Sequence, residues 1–351
     1  MLQDRPPLTK RRDEPLATGS FFSSCGIAVN KMYLLKQRPE DFIVREMASH
    51  QVLSKGNFAL CILKKRNYTT QRAIASVATA MERPIKYFSY AGLKDKNAVT
   101  EQFVAIKFAT EKEISRFQLK DIELVFVGYL NQHLSLGELD GNFFEITIRN
   151  LGQKEIELLK SHEGKLLMPN YFGEQRFSKG NSEIGKLLVK GNFGEALEKI
   201  LSQDKDAAEK INPYIGKNPT NFIEGLRLLP RKQLKMYVHS FQSKLWNRML
   251  HENPSAQELP LIGFGIEETG LVKTLLEKEG IKARDFINRK MPELSSEGGL
   301  RQCYVEIEGF ELKRVHGTFA VVSFMLPKGS YATIAITFLC NRLEDALENL
   351  L

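Results

Sequence analysis

From Asn57 the apolar positions alternate at Phe58, Leu60 and Ile62, the period-two pattern of a half-buried strand. The next segment predicts a helix capped by Thr69 or Thr70, with Ile74, Val77, Ala78 and Met81 facing inward and Pro84 ending it. Strand-like runs recur at residues 103–108, 122–129 and 144–148, followed by a helical pattern over 155–167. After Arg176 the β-branched runs thin out and helical patterns take over from 183 to 252. The clearest, over 233–250, places Leu234, Tyr237, Val238, Phe241, Leu245 and Met249 on one stripe. Strand character returns at 304–310 and 318–325. Strands joined by short turns, with interspersed helices, predict an α+β fold: a mixed, mainly antiparallel sheet with flanking helices. The order of patterns predicts one domain split between 21–177 and 304–351, interrupted by a mostly helical α/β insertion at 178–303. Residues 1–20, with Lys10, Arg11 and Arg12 among prolines, read as a mobile basic arm.

Composition narrows the class without naming it. A chain of 351 residues with 42% hydrophobic content can bury a core, and disorder is not expected. A formal net charge of +8 suits a polyanionic partner. The four cysteines, Cys25, Cys61, Cys303 and Cys340, lie far apart, and the six histidines are equally scattered, which predicts neither a zinc site nor a disulfide framework. No apolar run reaches membrane-spanning length, and no signal-peptide core opens the chain. The expectation is a cytoplasmic protein without a membrane partner, and a monomer, since no self-association stripe stands out.

The most informative stretch, residues 89–102, reads Ser-Tyr-Ala-Gly-Leu-Lys-Asp-Lys-Asn-Ala-Val-Thr-Glu-Gln. It places Asp95 between Lys94 and Lys96 in a polar turn joining two apolar runs, with Gly92 expected to permit a tight bend. These words resemble the signature of the TruD family of tRNA pseudouridine synthases, and Asp95 falls on that family's catalytic aspartate. Further blocks follow in the family's order. They are Leu35-Lys36 with the Pro-Glu-Asp-Phe-Ile-Val of 39–44, Gly141-Asn142-Phe143-Phe144, the Pro-Asn-Tyr-Phe-Gly-Glu-Gln-Arg-Phe of 169–177, Phe241-Gln242-Ser243, and the Leu-Pro-Lys-Gly-Ser-Tyr-Ala-Thr of 326–333. Two departures stand out: Leu300-Arg301-Gln302 where relatives show paired arginines, and Thr337-Phe338 where they often carry Arg-Glu.

The resemblance implies a pseudouridine-synthase-like catalytic domain acting on tRNA, at uridine 13 of the D-stem. The reaction detaches uracil from ribose C1′ and rejoins it through C5, with no redox step, so neither cofactor nor metal is expected. It needs a carboxylate that acts as nucleophile or base beside a sugar carbon, and that is the implied role of Asp95. A carboxylate enclosed with its substrate needs a cation beside it to keep its charge. Lys36 is the candidate partner. Lys94 is a second, although neighbours on an extended chain point oppositely. A stacked uridine must be flipped out to be reached, and the resemblance implies that Phe144 stacks on it while Asn142 positions the aspartate or nucleotide. From the residues alone, Phe144 reads better as the opening of the alternating strand Phe144, Ile146, Ile148, and the resemblance reverses that preference. Gln175 and Arg176 could hold phosphate or brace the floor, Gln242 is a possible polar contact, and Ser330 is a candidate helix cap. The clusters Lys10-Arg11-Arg12 and Lys64-Lys65-Arg66, with Arg227, Arg231 and Lys232, are candidates for RNA phosphates or simply solvated faces.

Two other functions fit parts of the pattern. An RNA-binding or RNA-folding module could use the same basic cleft without chemistry, but has no need of a cornered carboxylate. A nucleoside glycosidase usually needs two acids, and no second acid sits in a comparable block.

Overall fold

The computed structural model describes residues 33–351. The expected N-terminal arm, its basic triplet and Cys25 lie outside the described residues. Among the described residues eleven strands form: β1 (Phe42–Met47), β2 (Phe58–Arg66), β3 (Phe88–Tyr90), β4 (Val99–Lys107), β5 (Ile122–Leu130), β6 (Gly141–Ile148), β7 (Leu166–Pro169), β8 (Glu258–Leu261), β9 (Gly299–Gln302), β10 (Tyr304–His316) and β11 (Phe319–Pro327). Nine make one sheet in the order β5-β2-β4-β1-β6-β11-β10-β7, with β3 added on β4. The β1–β4 pair is parallel and the others are antiparallel, so the sheet is mixed and mainly antiparallel as expected. β8 and β9 form a separate ribbon. Among the described residues, no helix is long and apolar enough to cross a membrane.

β2 is buried on both faces. Ala59, Cys61 and Leu63 face the helix Thr70–Ala80 and pack on its Ile74, Val77 and Ala78, while Leu60 meets Ala105, Leu130 and Leu134 on the other side. The helix therefore rests on the Ala59–Cys61–Leu63 alternation of the strand, not on the more conspicuous Phe58–Leu60–Ile62 one. Thr69 is its cap, its Oγ1 accepting from the Arg72 amide at 3.2 Å, and the helix closes at Ala80, before Pro84.

The helix expected over 155–167 spans only Gln153–Ser161. The chain turns through Gly164 (φ +72°) and re-enters the sheet as β7 against β10. The long stripe forms the helix Arg231–Glu252, whose Trp246 is fully buried. This helix, its neighbours Asn181–Lys190 and Phe193–Gln203, and the inward faces of β1, β6 and β11 share one continuous hydrophobic core. Ser330 does not cap the helix Ala332–Leu339. Tyr331 occupies that position, and the Ser330 hydroxyl turns to Asn170 Oδ1 at 3.3 Å.

Candidate active site

β4 changes partner along one edge. Its first residues, Val99 to Glu101, pair with β1, and its later ones, Val104 to Ile106, pair with β3. The connection 91–98 spans that switch with buried feet at Ala91 and Ala98. Its shape is set by a closed hydrogen-bond relay from buried side chains. The Lys94 amide donates to Thr70 Oγ1 (2.9 Å), Thr70 Oγ1 donates to Gln102 Oε1 (2.8 Å), and Gln102 Nε2 donates to the Gly92 carbonyl (3.0 Å). Gly92 does not have a left-handed backbone, and a Cβ there would meet nothing nearer than 3.6 Å, so the expected tight bend is not what its position requires.

Asp95 stands at the tip of this connection. Its Oδ2 accepts from Lys36 Nζ at 2.5 Å, with the carboxylate side chain 42% exposed and the lysine 16%. Lys36 reaches it from a left-handed backbone (φ +56°), and its Nζ lies 4.1 Å from the Phe42 ring centroid, a cation–π contact that fixes its direction. Lys94 turns the other way into a buried ion pair with Glu46, whose second oxygen accepts from the Phe103 amide at 3.3 Å. Beneath the tip, the fully buried Lys65 donates to the carbonyls of Asp95 (2.8 Å) and Tyr68 (2.6 Å). Burial pushes the Lys65 ammonium down to about 8, with Asp95 opposing the shift and Lys94 adding to it.

Asp95, Lys36, Asn142, Phe144 and Gln175 come together around an open cavity of about 320 Å³, closed on one side by residues 328–333. Lys94 and Gly92 also border it. Asn142 sits at the start of β6, opposite Glu46 and Leu326, and its buried Oδ1 has no hydrogen-bond partner within the protein. A buried acceptor left open beside a carboxylate is suited to a ligand donor. Gly141 makes the placement possible, because a Cβ there would stand 2.4 Å from the Leu326 carbonyl oxygen. Phe144 is only 6% exposed, wedged edge-on against Phe42 and tilted against Phe324.

Arg176 does not border the cavity. Its Nε donates to Ser243 Oγ at 3.2 Å, and its carbonyl accepts from Ser240 Oγ, tying the turn Glu174–Arg176 to the long helix. Gln242 is buried and donates to the carbonyls of Ile262 and Glu297, so it is not an exposed contact. Of the basic candidates, Lys64 pairs with Glu123, Arg66 with Glu40, and Arg227 with Glu293 and Glu224. Lys65 is interior, so this cluster is not a free cationic patch.

Arg301, which the sequence singled out only as a departure, braces the cavity wall from behind without bordering the cavity. Its Nη2 donates to the Asn170 side-chain oxygen (2.7 Å) and to the carbonyls of Asn170 (3.0 Å) and Gly329 (3.2 Å). Its guanidinium stacks 4.2 Å from the Phe172 centroid and 5.0 Å from Trp246. It thereby staples the 328–331 wall to the 170–172 segment. Burial lowers its pKa to about 10.

The arrangement defines an α+β protein that offers one lysine-paired carboxylate, on the rim of a large mixed sheet, to a substrate entering from solvent. The sequence profile of tRNA pseudouridine synthase D (TruD) matches residues 31–212 and 258–337. The chain is 26% identical to tRNA pseudouridine synthase D of Aquifex aeolicus, over 86% of this chain and 96% of that one. It is 28% identical to the Pyrococcus abyssi protein named "Probable tRNA pseudouridine synthase D", covering 85% and 94%. The crystal structure of a candidate tRNA pseudouridine synthase D (TruD) from Methanosarcina mazei superposes with a TM-score of 0.63 at 25% identity, over 88% of this chain and 94% of that one. The chain belongs to the TruD family of tRNA pseudouridine synthases, which are isomerases.

Proposed function

We propose that this chain converts uridine 13 in the D-stem of tRNA to pseudouridine, with Asp95 as the group that acts on the ribose. The observation that supports this reading best is the Asp95–Lys36 pair at 2.5 Å on the rim of a cavity that also holds the unpartnered Asn142 oxygen. In this reading the uridine is pulled from its stack into the cavity. The N1–C1′ bond breaks, the base turns, C5 bonds to C1′, the C5 proton leaves to solvent and N1 takes up a proton. Asp95 serves as nucleophile toward C1′ or as base toward a sugar proton. Lys36 holds the carboxylate in place, Asn142 Oδ1 accepts from the nucleotide, the exposed edge of Phe144 meets the base, and Gln175 contacts the nucleotide from the opposite wall. Lys94 and Arg176 contribute by holding the loop and the floor.

We read 178–303 as an insertion into a catalytic domain built from 21–177 and 304–351, acting as a cytoplasmic monomer. Light scattering that returned a dimer mass at working concentration would remove the last point. The catalytic reading is tested with tRNA transcript carrying C5-tritiated uridine. Wild type should release tritium from one position and Asp95→Ala should release none while still binding tRNA. Equal release from the two would sink the assignment, and pseudouridine mapped elsewhere than position 13 would sink the site specificity.

A further inference from the structure

A second cavity, of about 590 Å³, lies beside the first and is the larger of the two. Leu139 and Lys328 border both, so they form the ridge between them. Lys328 is held there at two points: its amide donates to the Asp140 carbonyl (3.1 Å) and its Nζ to the Gly137 carbonyl (3.0 Å). The side chain is otherwise exposed.

We propose that this second cavity seats the nucleotide adjacent to the target uridine in the RNA chain. The inference rests on the first cavity being the uridine site. RNA is continuous, so a flipped uridine brings its neighbour to the next recess along the surface. A cation on the ridge between two base-sized recesses stands where the linking phosphate must pass. The recess itself suits a base better than a phosphate, because Glu138 and Asp140 border it. His50 lines it with a buried Nε2 that has no hydrogen-bond partner, and its ring is fixed edge-on against Phe103 at 4.8 Å. An orphaned polar atom of this kind is satisfied by the edge of a base. His133, exposed at the mouth and 6.5 Å from Phe58, offers a flat face for stacking.

The test uses unmodified tRNA transcript and two versions lacking the base immediately 5′ or 3′ of the isomerised uridine, with kcat/KM read by pseudouridine formation. Wild type should lose about tenfold on one of the two abasic RNAs, the scale of a single stacked base. His133→Ala, an exposed change that spares the core, should lose a similar factor on intact RNA and become indifferent to that abasic site. His50→Gln should behave likewise. Wild type that treats all three RNAs alike, or variants that still distinguish them, would overturn the subsite and leave the uridine site standing. Wild type that isomerises none of the three would overturn the underlying function.

Discussion

Lys65 donates from its buried Nζ to the backbone carbonyl of Asp95 at 2.8 Å, so Asp95 is held by its main chain while its carboxylate is held by Lys36. One lysine fixes where the residue stands, and the other fixes where its charge points.

Replacing Lys65 by Met removes the donor to two partly buried carbonyls, at about 1 kcal/mol each. Activity should fall without loss of tRNA binding. The charge adds a pH signature. Its folded pKa is depressed to about 8 from 10.5, so the unfolded chain binds more protons between those values. Wild type should therefore gain stability relative to Lys65→Met as pH rises from about 8 to 10. Parallel denaturant titrations across that range check the sign, and a falling difference would refute it.

Lys36 occupies a left-handed backbone that costs a non-glycine residue about 1–2 kcal/mol. Lys36→Gly should be more stable than Lys36→Ala by about 1 kcal/mol in thermal unfolding. Both should lose at least tenfold in kcat, because each removes the cation beside Asp95.

The Glu46–Lys94 pair is almost wholly dry, so its contribution is read best by breaking and then replacing it. Glu46→Ala leaves a buried ammonium unpaired and should cost about 3–5 kcal/mol. The double change Glu46→Leu with Lys94→Met should recover most of that stability and retain tritium release. Loss of release in a stably folded double variant would give Lys94 a direct role toward the substrate.

Arg301→Lys should fail to rescue what Arg301→Ala destroys. An ammonium cannot span Asn170 and Gly329 while stacking on Phe172 and Trp246. Limited proteolysis at Lys328 should accelerate in both variants, with KM for tRNA rising more than kcat falls.

That Asp95, Lys36, Asn142 and Phe144 gather around one cavity was legible because each sits in a short block resembling the family's, and the fold class followed from strand and helix periodicities. Lys65 was not. The run Lys64-Lys65-Arg66 reads as a charged surface, yet Ala59, Cys61, Leu63 and Lys65 share one face of β2 by simple alternation, and that face is buried. That alternation is masked by the more conspicuous one of Phe58, Leu60 and Ile62. Arg301 left no local signal, since its acceptors lie on segments distant in sequence, and only tertiary packing brings them within reach. The overlong helix over 155–167 has a third cause: apolar Leu166 and Leu167 continue a helical stripe, but pairing with β10 outweighs that propensity.

The wall at residues 328–333 is made late, whereas Lys36 and Asp95 emerge from the ribosome early. A growing chain would thus carry the Asp95–Lys36 pair for most of its synthesis without the wall that encloses it. The enclosure forms only when β11 has paired with β6 and β10 with β11, and the first of these joins segments far apart in sequence, a kind of pairing that is slow to form. A chain halted before residue 328 lacks the wall that residues 328–333 give this cavity.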